Sequence, residues 1–289
     1  MEAAGTCEIA RLPEELLSAA LALTTPRDAC RAAAVSRDFH ASADSDAVWS
    51  RFLPRDPPPL ADGELSGPAP PSEKGRFLRL CDRPVLLADG LMLTECCVQS
   101  MWLDRETGAK CYMLSARALR ISWGDTPEYW RWMHPPESRF MEVAELQYVW
   151  WLEIRGMIHS KMLSQDSTYA AYIVFKTTDR RDGLDYPPQE ASITVAGSTS
   201  THKVCLQSYD NEHEDGAVPL TWRYSRRHRR VFPGNLVIPQ RRTDDWMELE
   251  MGQFYNKDGD DGEILGLEDV RIHFKFWQRK KRTYRICSH

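Results

Sequence analysis

Apolar residues recur at helical spacing over the first fifty positions and at every second position over much of the remainder. Leu12-Pro13-Glu14-Glu15-Leu16-Leu17 predicts a helix start, with proline near its first position and two acids in its first turn. The N–H groups at such an end lack acceptors and carry partial positive charge, so both choices suit it. Leu16, Leu17, Ala20, Leu21 and Leu23 then form one stripe. Thr24-Thr25-Pro26 ends that helix and caps the next, expected from about Arg27 to Phe39 with Cys30, Ala34 and Val35 on one face. A third short segment, Asp46 to Leu53, places Trp49, Phe52 and Leu53 for burial. Three short helices in about forty residues bury too little surface to stand alone, so this module needs a partner surface.

Residues 54–72 hold seven of the eighteen prolines and read as a linker or boundary loop. Phe77-Leu78-Arg79-Leu80-Cys81 predicts a short helix leading into Val85-Leu86-Leu87. After about Cys111 the period changes to two. Arg120–Trp123, Leu152–Ile158, Tyr169–Phe175, Met247–Met251 and Val270–Phe276 are the clear strands. Strands separated by turns, without helical patterns between them, predict an antiparallel sandwich. The fold class is therefore α+β and multidomain. A helical module spans 8–54, a Pro-rich linker 55–75, and a β-sandwich 76–289.

The 289 residues carry a net charge of −5 with 42 % hydrophobic residues, which is ordinary for a chain with a sizeable core. Fifteen Lys/Arg against ten Asp/Glu from Thr221 onward give that segment +5 and leave −10 before it. Neither value argues for nucleic acid. Arg226-Arg227-His228-Arg229-Arg230 and Arg279-Lys280-Lys281-Arg282 read as solvated loops, with phosphate binding or nuclear import as the alternative. No apolar run reaches the ~18 residues of a membrane span, and the N-terminus has no secretory pattern. With eight cysteines lacking C-x-x-C spacing and no Asn-x-Ser/Thr sequon, a reducing compartment, cytoplasm or nucleus, is the expected setting. No metal-ligand spacing, phosphate-cradling loop or nucleophile elbow occurs, so neither an enzyme nor a cofactor is expected.

The helical module resembles an F-box in Leu12-Pro13, the leucines at 16 and 17, the segment from Pro26 to Phe39 and the closing Trp49. Residues 76–265 resemble the phloem protein 2 (PP2) family, the Nictaba-like plant lectins. The stretches that carry this are Lys110 to Arg117, Trp123-Gly124-Asp125-Thr126-Pro127-Glu128-Tyr129-Trp130-Arg131-Trp132, Trp151 to Gly156 and Trp246 to Gly252. The combination is similar to F-box proteins of the PP2-B type. Residues 91–101, with Cys96-Cys97, look like an insertion, and the tail from about Val270 departs from the family pattern. Either Val270–Trp277 supplies the missing last strand or the sandwich is compromised.

The resemblance implies a jelly-roll-like PP2 sandwich and a substrate-recognition subunit of an SCF-type ubiquitin ligase. Its partners would be a Skp1-like adaptor and cullin scaffold at one end and a target, glycosylated or bare, at the other. Leu12, Pro13, Leu16, Leu17, Cys30, Val35 and Trp49 would lie at or just under the Skp1 interface. The alternative is that these leucines pack against the sandwich. Trp123, Trp130, Glu263 and Asp269 fall on the family's carbohydrate-site positions, for an N-glycan or N-acetylglucosamine oligomer. Rings stack on the apolar faces of sugars while polar groups bind the hydroxyls. Here the alternative is that both tryptophans are core, as Trp150, Trp151 and Trp246 are expected to be. A lectin acting outside any ligase is the competing function.

Overall fold

The computed structural model describes residues 12–64, 68–88, 99–147, 149, 151–177, 188–206, 236–257 and 269–277. The chain divides into two compact units, residues 1–113 and 114–289.

The first unit contains α1 (Glu14–Leu21), α2 (Pro26–Ala32), α3 (Arg37–Asp44), α4 (Asp46–Phe52) and α5 (Glu73–Asp82). The carbonyl of Pro13 opens α1 by accepting the N–H groups of Leu16 and Leu17 at 3.0 and 3.1 Å. Thr25 caps α2 through the Asp28 N–H, with Pro26 at the first helical position as expected. The helix expected from Arg27 to Phe39 is in fact two. Ser36 adopts extended backbone and its side chain accepts the Phe39 N–H, so an N-cap begins α3 where the alanine-rich run predicted continuation.

These helices close around aromatic rings. Trp49 is 1 % exposed and Phe77 is wholly buried, with centroids 5.2 Å apart. Phe52 meets the Trp49 ring edge-on at 5.6 Å. The Trp49 indole N–H donates to the Ala43 carbonyl at 2.7 Å, joining α4 to α3. Leu21, Ala29, Val48 and Leu103 complete this core. Helix α5 is fixed at its start by Ser72, which accepts the Gly75 N–H, and by Asp46, which accepts the Glu73 N–H at 2.8 Å. The strands β1 (Val85–Leu86), β2 (Gln99–Leu103) and β3 (Lys110–Leu114) form a small sheet in that order. In the turn between β2 and β3 the Asp104 carboxylate accepts the Thr107 N–H and hydroxyl at 2.8 and 2.7 Å.

The second unit is built from β4 (Arg120–Ile121), β5 (Trp130–Met133), β6 (Val143–Leu146), β7 (Trp151–His159), β8 (Ser167–Phe175), β9 (Gln189–Val195), β10 (Ser198–Val204), β11 (Gln240–Arg241), β12 (Met247–Asn256) and β13 (Asp269–Trp277). One sheet has the order β10-β9-β13-β7-β4, a second has β11-β12-β8, and β5 pairs with β6. The strand pairs are antiparallel. Strand β13 runs between β7 and β9, so the segment from Val270 supplies a central strand of the larger sheet.

The two larger sheets pack through β12 against β9 and β10. Gly252 sits at this contact. A Cβ there would lie 3.0 Å from the His202 ring and 3.2 Å from Ile193 Cδ1, and its φ of +140 suits glycine alone. The register shifts between Glu250 and Gly252, a bulge that lets β12 bend onto the facing sheet. Leu152, Ile193, Val204, Phe175, Leu249 and Met251 fill the interior. Trp246 is buried against Val143 and Val174, as its expected packing role requires; Trp150 lies outside the described residues.

Phe77→Ala should remove about 3–5 kcal/mol from the first unit, the usual cost of emptying a buried aromatic site. Denaturant unfolding followed by the helical circular dichroism signal measures this, and a change within error would show that the rings do not hold the helices together.

Candidate functional site

Two surfaces stand out. On the helical unit the seven residues expected at an adaptor interface divide in two. Leu12, Leu16 and Val35 are 41, 54 and 70 % exposed, and Pro13 and Cys30 are also exposed. Leu17 and Trp49 are buried at 2 and 1 % and belong to the helical core. Leu23, which the sequence reading did not single out as a contact, is 79 % exposed in the turn between α1 and α2. The division follows from the stripe on α1. Leu17 and Leu21 lie four apart and face inward, while Leu16 falls about a quarter-turn away.

The second surface is the turn following β4. Trp123 is 44 % exposed, and its φ of +57 lies in the left-handed region that bulky residues avoid. Its ring meets Tyr129 at 5.7 Å and Trp151 edge-on at 6.0 Å. Trp130 is not beside it on the surface. It is 2 % exposed, and its indole N–H donates to the Ser122 carbonyl at 3.1 Å. Asp269 is the first residue of β13, and Glu263 lies outside the described residues. Of the two expected tryptophans, Trp123 is on the surface and Trp130 is in the interior. The two basic clusters, 226–230 and 279–282, also lie outside the described residues.

Sequence reasoning missed the groups that surround this turn. The Trp132 indole donates to the Gly124 carbonyl at 3.0 Å. The Arg117 guanidinium carbon sits 3.5 Å from the centre of the Trp132 ring, and its Nε and Nη2 donate to Glu142 at 2.6 and 2.9 Å. This fork, with His134 also near, holds the Glu142 carboxyl below its ordinary value. Glu145 is buried and accepts from Arg131 at 2.7 Å and Gln147 at 2.8 Å. Glu153 is buried and accepts the Arg155 Nε at 2.9 Å. Arg131 and Glu145 face each other across β5 and β6, a pairing visible only once the strands are in register.

Little in the described residues suits covalent chemistry. Burial pushes the Cys81 thiol up to about 12 and the Cys111 thiol up to about 11, so neither is a thiolate near neutrality. Among the described residues no cluster of His, Cys, Asp or Glu is arranged to hold a metal ion, and no helix is long and apolar enough to cross a membrane.

A carboxyl depressed in the folded state stabilises fully above its ordinary value of 4.5, and that contribution is lost as pH falls through the depressed value. Arg117→Leu should therefore melt below the parent at pH 7, with the gap narrowing as pH falls below the ordinary carboxylate range. A gap independent of pH would remove the Arg117–Glu142 pair as its cause.

The phloem protein 2 family profile matches residues 109–284, and the F-box-like profile matches residues 9–55. The F-box protein PP2-B10 of Arabidopsis thaliana is 38 % identical over 273 residues, covering 91 % of this chain and 88 % of that protein. The F-box protein PP2-B1 of the same plant is 37 % identical over 286 residues, covering 90 and 82 %. The match to phloem protein 2 takes in the Trp123 turn and β13, and the match to F-box-like domains takes in α1 to α4. The chain belongs to the PP2-B family of F-box proteins, in which an F-box precedes a lectin-like phloem protein 2 domain.

Proposed function

We propose that this protein is the substrate-recognition subunit of an SCF-type ubiquitin ligase, without catalytic chemistry of its own. Its F-box docks on a Skp1-like adaptor bound to a cullin. The observation that carries this reading is the set of exposed apolar residues on the helical unit, Leu12, Leu16, Leu23 and Val35, beside a core already filled by Trp49 and Phe77. Apolar side chains left outside a small helical set favour a receiving groove on another polypeptide. The F-box-like match over residues 9–55 supports the same partner. Ubiquitin transfer then gains rate from enforced proximity of target and ligase. The setting is the cytoplasm or nucleus.

The cargo end is the phloem protein 2 domain. The exposed Trp123 ring, with Tyr129 beside it, favours a glycan-bearing target over a bare protein surface, because such rings stack on sugar C–H faces. The same observation supports the second reading, a lectin acting outside a ligase.

Leu12→Ala combined with Pro13→Ala should abolish co-purification with Skp1 and cullin while leaving the circular dichroism spectrum unchanged. Retention of the adaptor by this variant would refute the docking surface. On an array of N-acetylglucosamine oligomers and N-glycans, the parent should bind and Trp123→Ala should lose at least about tenfold in affinity, the scale of one lost stacking contact. An array without signal would remove the glycan reading and leave the adaptor reading untouched.

A further inference from the structure

The turn that carries Trp123 contains four consecutive carbonyls, and each has a donor. The Ile121 carbonyl accepts from the Gly124 N–H at 3.0 Å and the Trp123 carbonyl from the Thr126 N–H at 2.9 Å. The intervening Ser122 carbonyl accepts from the Trp130 indole at 3.1 Å, and the Gly124 carbonyl from the Trp132 indole at 3.0 Å. Local turn bonds and indole N–H groups thus alternate along the segment. The two indoles hold the carbonyls of Ser122 and Gly124, the residues on either side of Trp123, whose own backbone is left-handed.

We infer that Trp130 and Trp132 are positioning residues that clamp the Trp123 backbone in its left-handed conformation and so present its ring as a rigid platform. The platform's use as a sugar-stacking surface rests on the glycan reading above. A tryptophan at φ +57 pays for a crowded Cβ, and such a conformation persists only where its surroundings over-determine it. Three features do so here. Ser122 is tied to β7 by its own N–H, which donates to the Glu153 carbonyl at 2.9 Å. Trp130 and Trp132 lie two apart on β5, so both side chains project from the same face of one strand. The Trp132 ring is itself covered by the Arg117 guanidinium, which Glu142 holds as a fork.

The clamp has a meaning for binding. A free tryptophan on a flexible loop loses rotational freedom when it stacks on a ligand, and that loss weakens the complex. A ring set in place beforehand does not incur it. The inference also assigns different roles to two tryptophans seven apart in sequence. Trp123 is the contact, and Trp130 acts through it from the interior.

The experiment uses the full chain and three substitutions, Trp123→Phe, Trp130→Phe and Trp132→Phe. Phenylalanine keeps an aromatic ring and deletes the N–H. Trp123 and Trp151 are near-perpendicular at 6.0 Å, a geometry that couples their indole transitions and gives an exciton couplet in far-ultraviolet circular dichroism. The difference spectrum between the parent and Trp123→Phe isolates it. If the clamp holds, the couplet collapses in Trp130→Phe and Trp132→Phe as well, measured below their melting temperatures. Affinity for the N-acetylglucosamine trimer then falls about tenfold with each, the scale set by one lost hydrogen bond. If either variant does not fold, the other decides.

A merely structural role would lower the melting temperature and leave the couplet intact, which overturns the clamp. A lost couplet with unchanged trimer affinity would overturn its role in positioning. A parent that binds no trimer sinks the glycan reading alone, and the couplet then still decides whether the two indoles set the Trp123 ring.

Discussion

The indole of Trp49 is where the helical unit closes. Its ring touches Phe52 and Phe77, its N–H reaches the Ala43 carbonyl, and Lys74 lies over its face at 5.3 Å. One side chain thereby joins α3, α4 and α5. Helices of seven to ten residues gain little from propensity and are held by packing. With a single aromatic cluster at the centre, each short helix has one stripe to spend on it. The stripe of α1 is used by Leu17 and Leu21, so Leu16 has nowhere inside to go. The exposed leucines are thus a consequence of helix length as much as of composition.

In the second unit the same residue type serves a different need. Turns that hug a sheet bring carbonyls into places water cannot reach, and each must find a donor. Trp130 and Trp132 bring a large apolar ring and a single N–H together, so one substitution fills space and satisfies a carbonyl. That explains the density of tryptophan in a stretch whose polar neighbours suggest a loop. It also explains why Trp130 resembles a binding residue in sequence while lying 2 % exposed in the fold.

What the sequence reveals is faces, and what it hides is partners. The alternation from Val270 to Phe276 reads as a strand, but its place between β7 and β9 is a matter of pairing that no period encodes. The same limit applies to Trp130, which β5 pairs opposite Leu146, and to Trp123, whose ring meets Trp151 of β7. Two local signals were legible and went differently. Thr25-Pro26 is read correctly because threonine and proline both mark a helix start. Ser36 is hidden by the alanines before it, which favour a continuing helix, and only its bond to Phe39 reveals the break. Strand β10 escapes notice for another reason. Ser198 to Lys203 offers no apolar alternation, and the connecting Ala196-Gly197 turn takes positive φ at both residues without an Asn or Asp to announce it. The F-box and phloem protein 2 resemblances were legible because they rest on residue order across long stretches, which pairing does not obscure.

Under the proposed function the two surfaces answer different demands. Docking on a constant adaptor rewards broad apolar contact, since the partner never changes and burial is non-directional. Aliphatic side chains such as Leu12, Leu16 and Val35 suffice there, and their rotamers settle as the partner's groove closes over them. Cargo selection is a difference between affinities, and that difference grows with the rigidity of the group doing the selecting. A strained backbone at Trp123, flanked by two satisfied carbonyls and a T-shaped contact to Trp151, is the more rigid arrangement. Backbone strain at the cargo surface and loose leucines at the adaptor surface are then two solutions to one problem, holding a variable target on a fixed machine.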